Sequence, residues 1–231
     1  MTARLGSLPA RRLSPWLLVA SVQFFVCEFL VAGTWRGRYS YRENYVSDLM
    51  VPFCGPDGSD PCSRTAVVFR ASVVLVGLAF LVAAWAWRGI GAIGSAGAAY
   101  LSVAGLGAVV TGVARPDTSW IVHSVGATLF FLFGSLACVT IALSARDVVS
   151  GALSSAVPSI SGWIGATLVC GVVGAASYFC YSYGWDGGLG IGGMERLGGY
   201  ATVLGFVGCM QIVRCIGAIV PGVASVGGRD G

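Results

Sequence analysis

The sequence predicts an all-α, polytopic membrane protein: one bundle of about six transmembrane helices with a single long extracytoplasmic loop. Three observations predict it. Of 231 residues, 56% are hydrophobic and only 10% charged, whereas a water-soluble domain carries roughly 25% charged residues. Mean hydropathy is +0.81. Six apolar stretches each approach the ~20 residues a helix needs to cross ~30 Å of hydrocarbon. The 35 glycines fit such a bundle, because small residues let membrane helices approach closely.

The stretches run over residues 14–35, 65–87, 90–113, 119–143, 160–183 and 200–220. The first follows Arg11 and Arg12, as a signal peptide would, but signal h-regions span only ~7–15 residues and are apolar throughout. This one is longer and contains Gln23 and Glu28, so it reads as a retained helix. The second and third are joined by a short turn, and the third and fourth by Arg115-Pro116-Asp117. The segment 184–199 before the last stretch is glycine-rich and reads as a loop. No space remains for a separate soluble domain, so residues 1–231 form one unit.

Arg4, Arg11 and Arg12 ahead of the first helix place the N-terminus in the cytoplasm under the positive-inside rule. Six crossings then bring both termini to the cytoplasmic face of the plasma (inner) membrane. Counted together, the 14 arginines divide evenly between the two sides, so this orientation leans on the N-terminus. The long loop carries Cys54 and Cys62 with turn-forming residues between them, and a disulfide there requires an extracytoplasmic side. The other six cysteines (27, 138, 170, 180, 209 and 215) lie in apolar stretches and read as small hydrophobes. All 14 basic residues are arginines, and no basic run is long enough for a nucleic-acid surface.

Eight of the ten acids fall on the outer side of this topology: Glu28, Glu43, Asp48, Asp57, Asp60, Asp117, Asp186 and Glu195. Glu28 lies ~10 Å below Trp35 and Arg70 ~8 Å into the second helix, at 1.5 Å per residue. Being on neighbouring helices, they are expected to meet, as a structural ion pair or a functional one. An unpaired charge at that depth costs several kcal/mol. Asp48 caps a short interfacial turn or acts as an acid; His123 binds loop carbonyls or takes part in chemistry. Arg214 snorkels toward the cytoplasmic interface. Tyr178, Tyr181, Tyr183 and Trp185 suit an aromatic belt. Glu195 and Arg196 open the last helix. Together these residues outline an outward-facing polar pocket.

Three short motifs carry a family resemblance. Asn44-Tyr45-Val46-Ser47-Asp48-Leu49 with Cys62-Ser63, then Gly112-Val113-Ala114-Arg115-Pro116-Asp117 followed by His123, then Gly193-Met194-Glu195-Arg196, occur in order along nearly the whole chain. In this the chain resembles the bacterial and archaeal membrane family catalogued as domain of unknown function 998. The Ser-Asp-Leu loop is also distantly similar to eukaryotic six-helix proteins that modulate lipid handling and autophagy. The resemblance implies a six-helix fold with Asp48, Asp117, His123, Glu195 and Arg196 at motif positions, and implies no activity.

Several chemistries lack their residues. One histidine and no clustered cysteines leave a zinc hydrolase short of its three ligands. No Gly-x-Ser-x-Gly elbow, Walker loop, Rossmann fingerprint or aspartate-rich prenyl-diphosphate motif occurs. Neither a metal nor a cofactor is expected. Metal-free acid–base chemistry remains, because an apolar environment keeps a carboxyl protonated near neutral pH. Glu28, Asp48, Asp117 and His123 are the candidate catalytic residues, with Arg70, Arg115, Glu195 and Arg196 as candidate substrate ligands. The expected function is binding or modification of an isoprenoid or other lipid-soluble substrate. Its most concrete enzymatic form is a class II-like, protonation-initiated membrane terpene cyclase, since abundant aromatic rings stabilise a passing cation. The alternative is a non-catalytic lipid-binding or accessory membrane protein, or a small transporter.

Overall fold

The computed structural model describes residues 7–52, 63–91, 93–152 and 158–226. Its helices are α1 (Ser7–Ala32), α2 (Ala66–Trp87), α3 (Gly94–Val113), α4 (Trp120–Thr128), α5 (Gly134–Ala152), α6 (Pro158–Ser182) and α7 (Ile191–Val226). A π-helical turn, Leu129–Phe133, fuses α4 and α5 into one rod. Among the described residues, six helices are long and apolar enough to span a membrane, each with mean hydropathy between 1.4 and 2.4. The protein is therefore an all-helical, multi-pass membrane protein. Among the described residues the only β-pairing is one antiparallel bridge, Trp35 to Ser63.

Helices adjacent in sequence pack together, and α7 closes the ring by packing on α1 as well as on α5 and α6. The centre is filled with aromatic rings. Phe80 of α2 stacks on Phe206 of α7 with centroids 4.0 Å apart, flanked by Trp87 and Phe130. Glycines set the closest approaches: a Cβ on Gly77 of α2 would lie 2.7 Å from the Gly105 carbonyl of α3. Outward faces remain apolar and exposed, as on Phe29, Ile121, Val169 and Phe179, as a hydrocarbon surrounding demands.

An even number of crossings gathers the connections 33–65, 114–119 and 183–190 at one end, called the loop-bearing end below. Residues 53–62, and with them the expected Cys54–Cys62 pairing, lie outside the described residues. The chain on either side of that segment converges, the Ser63 N–H donating to the Val51 carbonyl at 2.8 Å.

The last helix departs from expectation. It begins at Ile191, so Glu195 and Arg196 lie inside it rather than in a preceding loop. Its glycines argue for a loop by propensity alone. Here they are contact points instead: Gly198 packs on the Phe131 ring, and Gly192 on the backbone of the first loop.

Candidate functional site

The polar residues of the loop-bearing end converge on Arg196. Its Nε donates to Glu28 Oε1 at 2.7 Å. Nη1 faces the carbonyls of Tyr41, Asn44 and Gly192 at 2.9, 2.8 and 2.9 Å. Nη2 donates to the Tyr39 hydroxyl. The second oxygen of Glu28 accepts from Tyr200 at 2.7 Å. Glu28 and Arg196 are 1% and 5% exposed, so each charge requires the other. The rings of Tyr39 and Tyr41 sit 5.4 and 4.9 Å from the guanidinium carbon, within cation–π range.

The physical result is a clasp. One guanidinium on α7 binds a carboxylate on α1 and two carbonyls of the intervening loop, so the loop is drawn down onto the bundle. Two glycines let it come so close. A Cβ on Gly192 would lie 2.0 Å from the Asn44 carbonyl oxygen, and one on Gly190 would lie 2.4 Å from the Arg42 backbone. Gly190 also has a φ of 77°, in the left-handed region. The Gly192 N–H donates to the Arg42 carbonyl at 2.9 Å.

Glu195, one residue before Arg196, turns to the next part of the same loop. Its Oε2 accepts from the Val46 N–H at 2.5 Å. The loop then makes a 3₁₀ turn, Ser47–Met50, whose Leu49 and Met50 are buried. Asp48 accepts from the Tyr45 N–H at 3.0 Å, which ties the turn back on itself. Burial raises the Asp48 carboxyl above its ordinary value, against the opposing pull of the Tyr45 and Asn44 hydrogen bonds and the Arg196 charge. Burial likewise raises the Tyr39 hydroxyl, which stays neutral as a hydrogen-bonding group.

Arg70 and Glu28 do not meet. The expectation took helices adjacent in sequence as partners, whereas the ring closure brings α7 to Glu28. Arg70 instead reaches the end of α3, its Nε donating to Gly112 O at 3.0 Å and Nη2 to Val113 O at 2.7 Å. His123 is 3% exposed, and its Nδ1 donates to Ala114 O at 2.8 Å. Helix ends leave their last carbonyls unpaired. Here α3 stops because Arg115 precedes Pro116, which disfavours helical backbone at Arg115. Arg70 and His123 then supply the missing donors. Arg115 forms an exposed ion pair with Asp117 and holds the Asp117 carboxyl below its usual value.

Residues that sequence reasoning missed are Tyr39, Tyr41, Tyr200 and the backbone of Asn44. One signal was present: Tyr200 is four residues beyond Arg196 on the same helix, the spacing at which side chains share a face.

A groove of about 580 Å³ lies beside this cluster, lined by Phe29, Leu30, Ala32, Gly33, Thr34, Gly37, Arg38, Tyr39 and Tyr41. Its lower wall is the apolar end of α1, where Phe29 and Leu30 are 72% and 58% exposed. Its upper wall carries exposed Arg38 and the two tyrosines that stack on Arg196.

The model of the family described as "Protein of unknown function (DUF998)" matches residues 18–209, well over half of the chain. The chain belongs to this family. The match takes in the whole Arg196 clasp, from Glu28 on α1 to Tyr200 on α7. Neither the curated proteins nor the solved structures include a match to this chain.

Proposed function

We propose that this DUF998 protein is an inner-membrane protein that holds an isoprenoid or other long-chain lipid in the groove beside Tyr39 and Tyr41, binding it rather than converting it. The observation that carries the reading is the groove's polarity. Bilayer-exposed Phe29 and Leu30 form one wall, Arg38 and two tyrosine rings the other, which suits a chain with a polar head. Arg11 and Arg12, in the first turns of α1 just ahead of its apolar span from Leu13, favour cytoplasmic termini, and the groove then opens toward the extracytoplasmic leaflet.

Binding is favoured over acid-initiated cyclisation because of where the acids lie. Glu28 and Glu195 are 1% and 5% exposed, and neither they nor Asp48 line the groove. A general acid has to come within hydrogen-bond reach of the atom it protonates. The cyclase reading keeps one supporting observation, the raised proton affinity of partly buried Asp48. A transport role is opposed by the Phe80–Phe206 stack at the bundle centre.

Native mass spectrometry of the detergent-purified protein, beside Gly33→Phe and Arg38→Gln, tests this. The expected result is one retained lipid species, lost in both variants and of unchanged mass on prolonged incubation. Equal lipid retention by wild type and both variants would end the groove reading. A retained lipid whose mass changes in wild type but not in Asp48→Asn would establish catalysis instead.

A further inference from the structure

We infer a second, independent lipid site: a groove between α2 and α3 in which Arg70 binds the phosphate of an anionic phospholipid. The groove has a volume of about 470 Å³ and is lined by Val67, Arg70, Ala71, Val74, Leu75, Gly112 and Val113. Among the described residues that line it, Arg70 has the only polar side chain. It lies four residues past the start of α2 at Ala66, hence ~6 Å along the helix at 1.5 Å per residue, near headgroup depth. Ala71, Val74 and Leu75 continue away from the loop-bearing end on the groove-facing side. A polar head above and an apolar channel below is the sequence of surfaces a phospholipid presents.

The guanidinium is oriented but not saturated. A guanidinium has five N–H groups; Nε and one on Nη2 are fixed by Gly112 O and Val113 O. The remaining N–H groups have no partner among the described residues, while the two used bonds hold the fork in place. A phosphodiester accepts from such a fork with charge assistance. Capping α3 and binding phosphate are compatible, because they use different hydrogens.

Charge selects among phospholipids. Arg70 and Arg115 are both near Asp117, which pairs with Arg115, so the three together carry net positive charge. A choline or ethanolamine head would bring its cation to that patch, whereas an uncharged glycerol head would not. The acyl chain is required as well, since a single exposed ion pair is worth only about 0–1 kcal/mol in water and would not retain free phosphate.

The test uses the full chain reconstituted in nanodiscs of phosphatidylcholine with a minority of phosphatidylglycerol, released in the mass spectrometer, and lipids retained per protein are counted. Phosphatidylglycerol is expected above its share in the bilayer, with Arg70→Gln and Ala71→Phe each lowering that retention by roughly tenfold or more. Arg38→Gln, in the other groove, is expected to leave it unchanged. Ala71 is exposed, so Ala71→Phe fills the groove without entering the core and decides the matter if Arg70→Gln unfolds. No excess of phosphatidylglycerol on wild type, or an excess that Ala71→Phe leaves intact, overturns the inference. So does displacement of the lipid by inorganic phosphate, which would make this a free-anion site. Loss with Arg38→Gln alone would assign the lipid to the other groove.

Discussion

Replacing Glu28 by Gln keeps the side chain's shape and removes the carboxylate that is hydrogen-bonded to Arg196. The pair is buried, at 1% and 5% exposure, and the remaining Arg196 contacts are carbonyls and a hydroxyl. Breaking a buried pair by removing one partner costs about 3–5 kcal/mol, because the other charge stays buried. For a chain of this size that corresponds to a fall in Tm of roughly 6–20 °C. The change is also local. Arg196 holds the loop through the Tyr41 and Asn44 carbonyls, so loosening it exposes the loop before the bundle melts. Two assays read this: the temperature at which the detergent-solubilised protein loses its monodisperse elution peak, and the rate of trypsin cleavage at Arg38 and Arg42. Glu28→Gln is expected to lower the first and raise the second. The double change Glu28→Leu with Arg196→Met, which removes both charges, is expected to recover much of the bundle stability while leaving the loop protease-sensitive. A Glu28→Gln protein that melts with wild type and resists trypsin equally would refute the clasp.

Other outcomes follow from the same geometry. Gly192→Ala places a methyl group 2.0 Å from a backbone oxygen, so the loop has to lift and trypsin sensitivity rises. At Gly193, where the nearest atom is a Leu189 side-chain carbon at 3.1 Å, alanine is expected to be tolerated. His123→Ala leaves the Ala114 carbonyl without its donor and is expected to cost about 1–3 kcal/mol, measured by thermal melting, with His123→Asn recovering part. Asp48 holds its proton more tightly in the folded than in the unfolded chain. Its contribution to stability is therefore complete below pH 3.8, the ordinary value, and is lost as pH rises through the folded value. Asp48→Asn is expected to flatten that part of a Tm-against-pH profile; an unchanged slope would contradict the assignment.

The spanning helices were legible because hydrocarbon imposes a simple rule on length and polarity. So was the gathering of Glu28, Glu43, Asp48, Asp117, Asp186 and Glu195 at one end, once the apolar stretches were drawn; Asp57 and Asp60 lie outside the described residues. The pairing was not. Glu28 and Arg196 are 168 positions apart, and helix order along the chain says nothing about which helices close the ring. Arg70 looked like the nearer partner for Glu28, yet its guanidinium finds the α3 carbonyls that Arg115-Pro116 leaves unpaired. The glycines of 184–199 were read by backbone propensity, while Gly192 lies within a helix and is glycine because nothing larger fits beneath Asn44. The π turn in Leu-Phe-Phe-Leu-Phe has no sequence signature of its own. It shows how packing around Phe130 and Phe131 escapes local reasoning.

The most direct test of a lipid seated against the clasp is photocrosslinking in a native membrane extract with diazirine-bearing polyprenol and phospholipid probes, followed by peptide mapping. The account predicts that label concentrates between Phe29 and Tyr41, and that Gly33→Phe removes it. Label spread evenly over the exposed faces of all six spanning helices, insensitive to Gly33→Phe, would contradict it.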